Sequence, residues 1–168
     1  TRDHTMVIKG EGEKLECYID AAFALHEDAK SHTGMVLKLF GDTILVKSSK
    51  QKIVTKDSTE AELVGLSDKV HHALKIYDYL KSQGVEINVP EVLQDNTSTI
   101  SLVTRGGGKY RNKYMRVRQQ AVLQMINDGD ITVRHVPTDE MVADICTKPL
   151  RGGKLREVAS RLLGKTGN

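Results

Sequence analysis

The sequence predicts one α/β domain of the mixed α+β kind, in which a five-stranded mixed sheet has helices on both faces. Three observations support this. Three β-rich segments follow one another within residues 14–49, and the apolar period then changes from two to 3.6 near Ser58. Two further strand-like segments return only after helices, which is typical of a mixed sheet. A chain of 168 residues suits a single domain with a sizeable core.

The first three segments predict antiparallel strands. KLECYIDAAFAL (residues 14–25) alternates apolar residues on one side from Leu15 to Ala21. A polar break, HEDAKSH, follows. GMVLKLF and DTILVKSS are two short apolar runs separated by Gly41-Asp42, a pair typical of a hairpin turn.

A long amphipathic helix is predicted from Ser58 to about Lys81, ended by Gly84. Its apolar stripe consists of Leu63, Leu66, Val70, Ala73, Leu74, Tyr77 and Leu80. VPEVLQD is then a short strand. NTSTISLVT is a short helix that either Asp95 or Asn96 opens.

The remaining elements follow a glycine run at residues 106–108, which reads as a flexible joint. NKYMRVRQQAVLQMIND predicts a helix and DITVRHVP the last strand. Thr138 is expected to cap a helix from Asp139 to about Thr147, with Pro149 ending it. A tail helix from Lys154 to about Leu163 completes the chain.

Composition excludes some classes of protein. Hydrophobic residues make up 39% and charged residues 28%, as in globular proteins, and no apolar run is long enough to span a bilayer. Two cysteines far apart in sequence, Cys17 and Cys146, favour reduced, buried thiols and an intracellular protein. The opening TRDHTMVIKG reads as the interior of a longer chain. The net charge of +3 does not by itself predict a nucleic-acid binder.

Four carboxylates lie where chemistry is plausible. Asp20 lies within the first strand, where an unpaired acid is costly. Asp95 follows a later strand, Asp144 lies in the predicted helix after the last strand, and Glu62 lies in the first turns of the long helix. Taken singly, the last three are more simply explained as an N-cap, a solvated residue and a first-turn acid favoured by the helix dipole.

Two glutamates, Glu60 and Glu62, compete for a role at the start of the long helix. At about 100° per residue, Glu62 lies about 55° and Glu60 about 105° from the centre of the apolar stripe. Asp57 and Glu60 also have the spacing of a capping box. Glu60 is therefore predicted to face solvent and start the helix, whereas Glu62 faces the sheet and is the better site candidate.

Four acids near the centre of a mixed sheet suggest a site for hard divalent cations. Mg²⁺ accepts a few carboxylates together with phosphate oxygens and water. Two such ions about 4 Å apart promote in-line displacement at a phosphodiester.

Five sequence blocks carry a family resemblance. YIDAAF, SSKQ, STEAEL, LQDNTSTI and VPTDEMVADICTKPL resemble, in this order, the ribonuclease H domain of copia-type LTR retrotransposon polyproteins. The similarity runs from about Tyr18 to Leu150, and STEAEL and ADICTKPL are its most specific pieces. The opening residues resemble the junction that follows the reverse transcriptase in those polyproteins.

The resemblance implies the ribonuclease H-like fold and hydrolysis of the RNA strand of an RNA–DNA hybrid, leaving 5′-phosphate and 3′-hydroxyl ends. It implies two Mg²⁺ ions, with Mn²⁺ as a substitute. The implied catalytic and metal-binding residues are Asp20, Glu62, Asp95 and Asp144. It also implies a reverse transcriptase in the same polyprotein, and either a cytoplasmic virus-like particle or the nucleus as the location. The whole chain is then one domain, with residues 1–13 as the junction and 152–168 as the tail.

The sequence departs from the family pattern in three places. The first block reads Asp20-Ala21-Ala22-Phe23 where Asp-Ala-Asp-Trp is usual. Tyr114 replaces a histidine in NKYM. The loop histidine that precedes the last acid in cellular ribonucleases H is missing, and the nearby His135 lies on a predicted strand and reads as structural.

Two basic segments, residues 47–56 and 105–118, are the candidate nucleic-acid contacts, although a solvated surface explains either one about as well. In this fold, flanking cations would hold the backbones of an A-like hybrid. Asn96, beside Asp95, would donate to a 2′-hydroxyl or a minor-groove edge. The predicted contact residues are Lys47, Lys50, Gln51, Lys52, Asn96, Arg111, Lys113, Arg116 and Arg118.

Two alternatives to an active ribonuclease H remain. One is a catalytically weak or silent domain of this fold that binds nucleic acid or braces the polymerase, which the four retained acids disfavour. The other is a DNA-strand-transferring member of the same superfold, which the fourth acid and the STEAEL and TKPL blocks disfavour.

Overall fold

A computed structural model describes residues 6, 9–106, 110 and 112–164. Parts of the predicted junction and tail, and part of the predicted glycine joint, lie outside these residues. The strands are β1 (Leu15–Ala22), β2 (His32–Leu39), β3 (Asp42–Lys50), β4 (Glu91–Gln94) and β5 (Thr132–His135). The α-helices are α1 (Ser58–Ser82), α2 (Thr97–Arg105), α3 (Lys113–Asn127) and α4 (Gly152–Leu162).

The five strands form one mixed sheet in the order β3-β2-β1-β4-β5. The pairs β1–β2 and β2–β3 are antiparallel, and the pairs β1–β4 and β4–β5 are parallel. The predicted mixed sheet is therefore confirmed. Its central strand is β1, which carries Asp20; this acid pairs with Gly34 of β2 and lies beyond the last residue that β1 pairs with β4, Tyr18.

Side chains that alternate along the strands point to opposite faces of the sheet and pack into two apolar cores, one on each face. Ile19 and Met35 pack with Leu63 and Leu66 of α1, while Val36 packs with residues of α4 on the opposite face. Helices on both faces are thus confirmed. The stripe predicted for α1 forms much of the first core.

The start of α1 confirms one prediction and corrects another. Asp57 is the N-cap, and its Oδ1 accepts from the backbone N–H of Glu60 at 2.8 Å. Glu60 Oε2 accepts from the N–H of Lys56 at 2.9 Å. The prediction that Glu60 faces solvent is wrong, because Glu60 and Glu62 are each only 5% exposed. Residues 60–66 of α1 are all buried, because α2 packs against the start of this helix, where Thr99 Oγ1 lies 3.5 Å from Thr59 O, in addition to the sheet.

The segment after β5 is not the predicted α-helix. It forms two short 3-10 helices, Thr138–Glu140 and Val142–Cys146. Met141, Val142 and Ala143 are buried in the second core and the segment packs closely on Gly34 of β2, so these tertiary contacts override the local helical pattern. Thr138 does not cap a helix here. The open choice at α2 is settled in favour of Asn96, whose Oδ1 accepts from the N–H of Thr99 at 3.0 Å.

Both cysteines are free thiols, as predicted, but only Cys17 is buried and Cys146 is half-buried; burial raises the pKa of Cys17 to about 12. Among the described residues, no helix has the length and apolar character that crossing a membrane requires.

Candidate metal centre and basic groove

Three of the four predicted acids meet at one place. One carboxylate oxygen from each of Asp20, Glu62 and Asp95 lies within 4.8 Å of the other two. They come from the middle of the sheet, the second turn of α1 and the residue after β4. The fold therefore collects into one cluster three acids that are far apart in the sequence.

The carboxylate of Glu62 is held from two sides. Its Oε1 accepts from the backbone N–H of Ala21 at 3.1 Å, and its Oε2 accepts from Gln94 Nε2 at 3.1 Å. Gln94 is fully buried, and its Oε1 accepts from the N–H of Asp95. These bonds join the start of α1 to the ends of β1 and β4.

Asp95 is less buried than its partners, as expected of a residue that follows the end of a strand. Its Oδ2 accepts from Thr138 Oγ1 at 3.0 Å, so the first 3-10 helix orients this carboxylate. The hydroxyl that was predicted to cap a helix thus serves an acid of the cluster instead.

Asp144 lies beside the cluster, on the second 3-10 helix, and is 4% exposed. Lys148 joins it to Asp20, because the Lys148 ammonium lies 2.6 Å from Asp144 Oδ1 and 3.4 Å from Asp20 Oδ1. Thr147 Oγ1 donates to Asp20 Oδ2. The segment 144–148 therefore supplies one acid, one hydroxyl and one cation to the site.

Gly34 lets this segment approach the sheet. Gly34 pairs with Asp20 across β1 and β2. A Cβ at this position would lie 2.6 Å from Cys146 Cβ and 2.8 Å from Ala143 O, closer than atoms can pack. The absence of a side chain at Gly34 is thus a condition for Asp144 to reach its place.

Burial and mutual repulsion make the ionised forms of two acids, Asp20 and Glu62, less favourable than in water. Burial, followed by the charge of Asp20, raises the pKa of Glu62 to about 8. Burial also raises the pKa of Asp20, although the hydrogen bond from Thr147 and the charge of Lys148 oppose the rise. The pKa of Lys148 is itself raised, because its pairing with the acids outweighs the effect of burial.

This donor set fits hard divalent cations. It offers carboxylate oxygens only, and those of Asp20, Glu62 and Asp95 are close enough to share an ion. Burial raises the pKa of Asp20 and of Glu62, so a bound cation would compensate charge that the interior of the protein disfavours. Asp20, Glu62 and Asp95 would hold one cation, and Asp144 would join them through Asp20.

Cation binding is predicted to stabilise the fold, because an ion that binds only the native state shifts the unfolding equilibrium. At Mg²⁺ concentrations about 100-fold above the dissociation constant, the midpoint of thermal unfolding should rise by about 5–10 °C. Scanning calorimetry with Mg²⁺ or with NaCl at equal ionic strength measures this. An equal rise with NaCl, or an undiminished Mg²⁺ effect in Asp20→Asn, would contradict a specific site.

A second feature joins the two basic segments. The end of β3, the middle of α1 and the side of α3 enclose a groove of about 570 Å³. We call it the basic groove. Its charged and titratable lining residues are Lys50, Lys52, Asp68, Lys69, His71 and Arg118. Lys52 of the first basic segment and Arg118 of the second, 66 residues apart in the sequence, thus meet at one surface.

Several cations of the basic groove already have partners. Lys50 pairs with Asp28 at 2.8 Å, Arg118 pairs with Asp68, and Lys69 Nζ donates to Ser49 Oγ at 2.6 Å. Lys52 is exposed. The groove is therefore positively charged, and ion pairs with Asp28 outside the groove and Asp68 within it hold two of its cations.

The other predicted contact residues have varied surroundings. Gln51 is buried on the floor of the basic groove, and its Nε2 donates to Thr33 Oγ1 and Ala61 O, so this nitrogen is engaged inside the fold. Lys47 Nζ lies 3.1 Å from His72 Nε2. Lys113 and Arg116 are exposed on α3. Asn96 Oδ1 accepts from Thr99 N–H as the cap of α2, so the predicted donation to nucleic acid would come from its side-chain nitrogen and stays a prediction; Arg111 lies outside the described residues.

Sequence reasoning missed the residues that orient the acids, namely Gly34, Gln94, Thr138, Thr147 and Lys148. Two signals were present in the sequence. Gln94 directly precedes Asp95, and Thr147 and Lys148 belong to the block ADICTKPL. Their contacts depend on the packing of distant segments, which a sequence pattern does not specify.

No family model matches the chain. It is 30% identical over 153 residues to the Retrovirus-related Pol polyprotein from transposon RE2 of Arabidopsis thaliana, covering 89% of the chain and 10% of that protein. It is 29% identical over 160 residues to the Pol polyprotein from transposon TNT 1-94 of Nicotiana tabacum, covering 95% and 12%. It is 26% identical over 138 residues to the Transposon Ty1-JR1 Gag-Pol polyprotein of Saccharomyces cerevisiae, covering 82% and 8%. The chain thus spans only 8–12% of the length of these three relatives.

Solved structures agree on the fold. LC11-RNase H1, isolated from compost, superposes with a TM-score of 0.57 at 18% identity, covering 80% of the chain and 93% of that protein. The same enzyme in complex with an RNA/DNA hybrid superposes with a TM-score of 0.57 at 16% identity, covering 79% of the chain and 93% of that protein. The protease-reverse transcriptase of prototype foamy virus superposes with a TM-score of 0.56 at 14% identity, covering 94% of the chain and 21% of that protein. The chain is a domain with the ribonuclease H fold, homologous to a segment of copia-type retrotransposon Pol polyproteins.

Proposed function

We propose that the chain is a metal-dependent endoribonuclease that hydrolyses the RNA strand of RNA–DNA hybrids and leaves 5′-phosphate and 3′-hydroxyl ends. One observation carries the proposal. Three buried or half-buried carboxylates from separate elements converge within 4.8 Å, and a fourth is linked to them through Lys148. A domain that only braces a partner has no need of such a costly cluster.

The proposed ligands of two Mg²⁺ ions, for which Mn²⁺ can substitute, are Asp20, Glu62, Asp95 and Asp144. When bound, the ions supply Lewis acidity for in-line displacement at the scissile phosphate. The chain holds the acids ready for them. Ala21 and Gln94 fix the Glu62 carboxylate, as described above, and Thr147 fixes that of Asp20. Such outer partners set the orientation of metal ligands.

A hybrid duplex is the proposed substrate for two reasons. One solved relative of this fold is bound to an RNA/DNA hybrid. The basic groove also provides cations that would neutralise backbone phosphates, as shape-based recognition of an A-like duplex requires.

The proposed setting is a retrotransposon polyprotein. The relatives are Pol and Gag-Pol polyproteins, and one solved neighbour is a protease-reverse transcriptase. We infer that a reverse transcriptase of the same polyprotein is the partner, and that the domain removes the RNA template after DNA synthesis. Its location would be either a cytoplasmic virus-like particle or the nucleus.

Strand choice tests this function. The purified chain should cleave a labelled RNA strand paired with DNA in the presence of Mg²⁺. It should leave the DNA strand of the same hybrid, double-stranded DNA and double-stranded RNA intact. Cleavage of single-stranded RNA at the same rate would point to an unspecific nuclease. Binding of the hybrid without cleavage would favour the silent, nucleic-acid-binding alternative.

The basic groove gives a further prediction. Lys52→Ala removes an exposed cation from it and should weaken hybrid binding about equally for all sequences. The slope of log affinity against log salt concentration should fall by about 1. Fluorescence anisotropy at several salt concentrations measures both.

Lys81→Ala is the matched control, because Lys81 is exposed at the far end of the same helix, α1. If the two variants had the same salt slope, the basic groove would be ordinary surface charge.

A further inference from the structure

A hydrogen-bond chain outside the acidic cluster leads into the segment that carries Asp144. His26 Nε2 lies 3.0 Å from His32 Nδ1, and His32 Nε2 lies 2.7 Å from Ser48 Oγ. Ser48 Oγ donates to the carbonyl oxygen of Cys146 at 2.8 Å. These hydrogen bonds thus run from His26 in the loop between β1 and β2, through the first residue of β2 and through β3, to the last residue of the second 3-10 helix.

When both imidazoles are neutral, only one donor and acceptor assignment satisfies these hydrogen bonds. A hydroxyl has a single hydrogen, and Ser48 Oγ donates it to the Cys146 carbonyl oxygen. Ser48 Oγ must therefore accept from His32 Nε2–H. His32 Nδ1 then has no hydrogen and must accept from His26 Nε2–H. Each donor therefore has one acceptor, and both histidines are Nε2–H tautomers.

The register of the sheet shows why this anchor matters. Asp20, Gly34 and Ser48 are neighbours across β1, β2 and β3. The second 3-10 helix packs on Gly34, which offers no side chain to interlock with it. Ser48, one strand further out, reaches over to the Cys146 carbonyl, two residues from Asp144. It is therefore a strut between the sheet and the segment that holds a predicted metal ligand.

The strut differs in kind from the bonds that this segment makes to the acids. Lys148 holds the segment through its ion pairs with Asp144 and Asp20, and bound cations would weaken those pairs by neutralising the acids. The bond between Ser48 and Cys146 is neutral and does not depend on the charge of the site. It can therefore keep Asp144 in place whether or not cations are present.

We propose that His26, His32 and Ser48 are positioning residues that hold the segment 144–148 over β2 and thereby set the affinity of the acidic cluster for divalent cations. The part that concerns cations rests on the proposed function, whereas the anchoring of the segment does not. None of the three residues belongs to the acidic cluster.

Nitrogen NMR of the substrate-free protein tests the hydrogen bonds from His26 through His32 and Ser48 to Cys146. The ¹⁵N chemical shifts of both rings, measured above the pKa values of the two histidines, should identify Nε2–H tautomers for His26 and His32. An Nδ1–H tautomer at either ring would overturn the proposed direction, and with it the strut.

Variants test what the strut does. In Ser48→Ala, the backbone amides of Thr147 and Lys148 should exchange hydrogen faster, and Mg²⁺ affinity measured by calorimetry without substrate should fall about 10-fold or more. His32→Ala should behave similarly. His32→Gln should recover most of the affinity, because its amide nitrogen can donate to Ser48 as Nε2–H does.

Ser82→Ala is the matched control, because Ser82 is also exposed and also donates to a backbone carbonyl, that of Tyr79, but at the far end of α1. Unchanged exchange and unchanged Mg²⁺ affinity in Ser48→Ala and His32→Ala would overturn the proposal. A wild type that binds Mg²⁺ without cleaving hybrids would refute the proposed function alone. If the wild type binds no cation, the assignment of the metal site fails, and the amide exchange rates decide whether the strut exists.

Discussion

Glu62→Gln is expected to reduce hydrolysis of the RNA strand by more than about 100-fold, because it removes a metal-binding charge and not merely an outer partner. The amide is nearly isosteric with the carboxylate. Its oxygen can still accept from Ala21 N–H, whereas its nitrogen cannot accept from Gln94 Nε2, so the change costs one side-chain hydrogen bond and should leave the fold intact. Removing a charge from a crowded acidic cluster should even raise the midpoint of unfolding without metal, since burial and Asp20 both disfavour the ionised Glu62.

Glu60→Gln is the matched control, two residues away on the same helix. Glu60 is equally buried, but its carboxylate accepts from Lys56 N–H, a bond that a glutamine oxygen can replace. Its activity should stay within about 3-fold of wild type, since an outer partner in the site would cost at least 10-fold. Initial rates on a labelled hybrid, with circular dichroism as a check of folding, decide the matter. Loss in Glu60→Gln but not in Glu62→Gln would contradict the assigned site.

Gly34→Ala is expected to lower activity about 100-fold without touching any acid. A Cβ at Gly34 would overlap Cys146 Cβ and Ala143 O, so the second 3-10 helix must move away from β2 and take Asp144 with it. Displacements of about 1 Å at a reacting centre cost this much in other enzymes. Overpacking should also lower the free energy of unfolding by about 1–3 kcal/mol.

Gly153→Ala controls for the loss of a glycine. Gly153 lies in α4, where an added Cβ has no atom within 4 Å, so alanine should leave activity unchanged and slightly stabilise the helix. Rates and denaturant unfolding are measured for both variants. A Gly34→Ala protein with normal Mg²⁺ dependence and normal rates would show that the close packing on Gly34 is dispensable.

Local patterns in the sequence predict the start of α1 well. The spacing of Asp57 and Glu60 identifies the N-cap, and the helical angle of Glu62 identifies the acid that faces the sheet. The same angles fail for Glu60, which is buried although it lies far from the apolar stripe. A helical projection describes contacts of one helix with one surface, and the first turns of α1 are covered by α2 as well.

Contacts between distant segments explain the remaining differences. Patterns locate acids at the ends of predicted strands and helices, but they do not show that Gln94 bonds to Glu62 or that Lys148 lies between Asp20 and Asp144. The second 3-10 helix follows from packing on Gly34, over 100 residues earlier in the chain. Such contacts become visible only when the sheet is assembled.

Cleavage of a labelled RNA–DNA hybrid by the wild-type chain tests the central claim most directly. With Mg²⁺ or Mn²⁺, the RNA strand should be cut to products with 5′-phosphate and 3′-hydroxyl ends. A chelator should stop the reaction, and added Mg²⁺ should restore it. A folded wild type that binds the hybrid but cuts neither strand with either ion would contradict the claim and leave a domain of this fold that only binds nucleic acid.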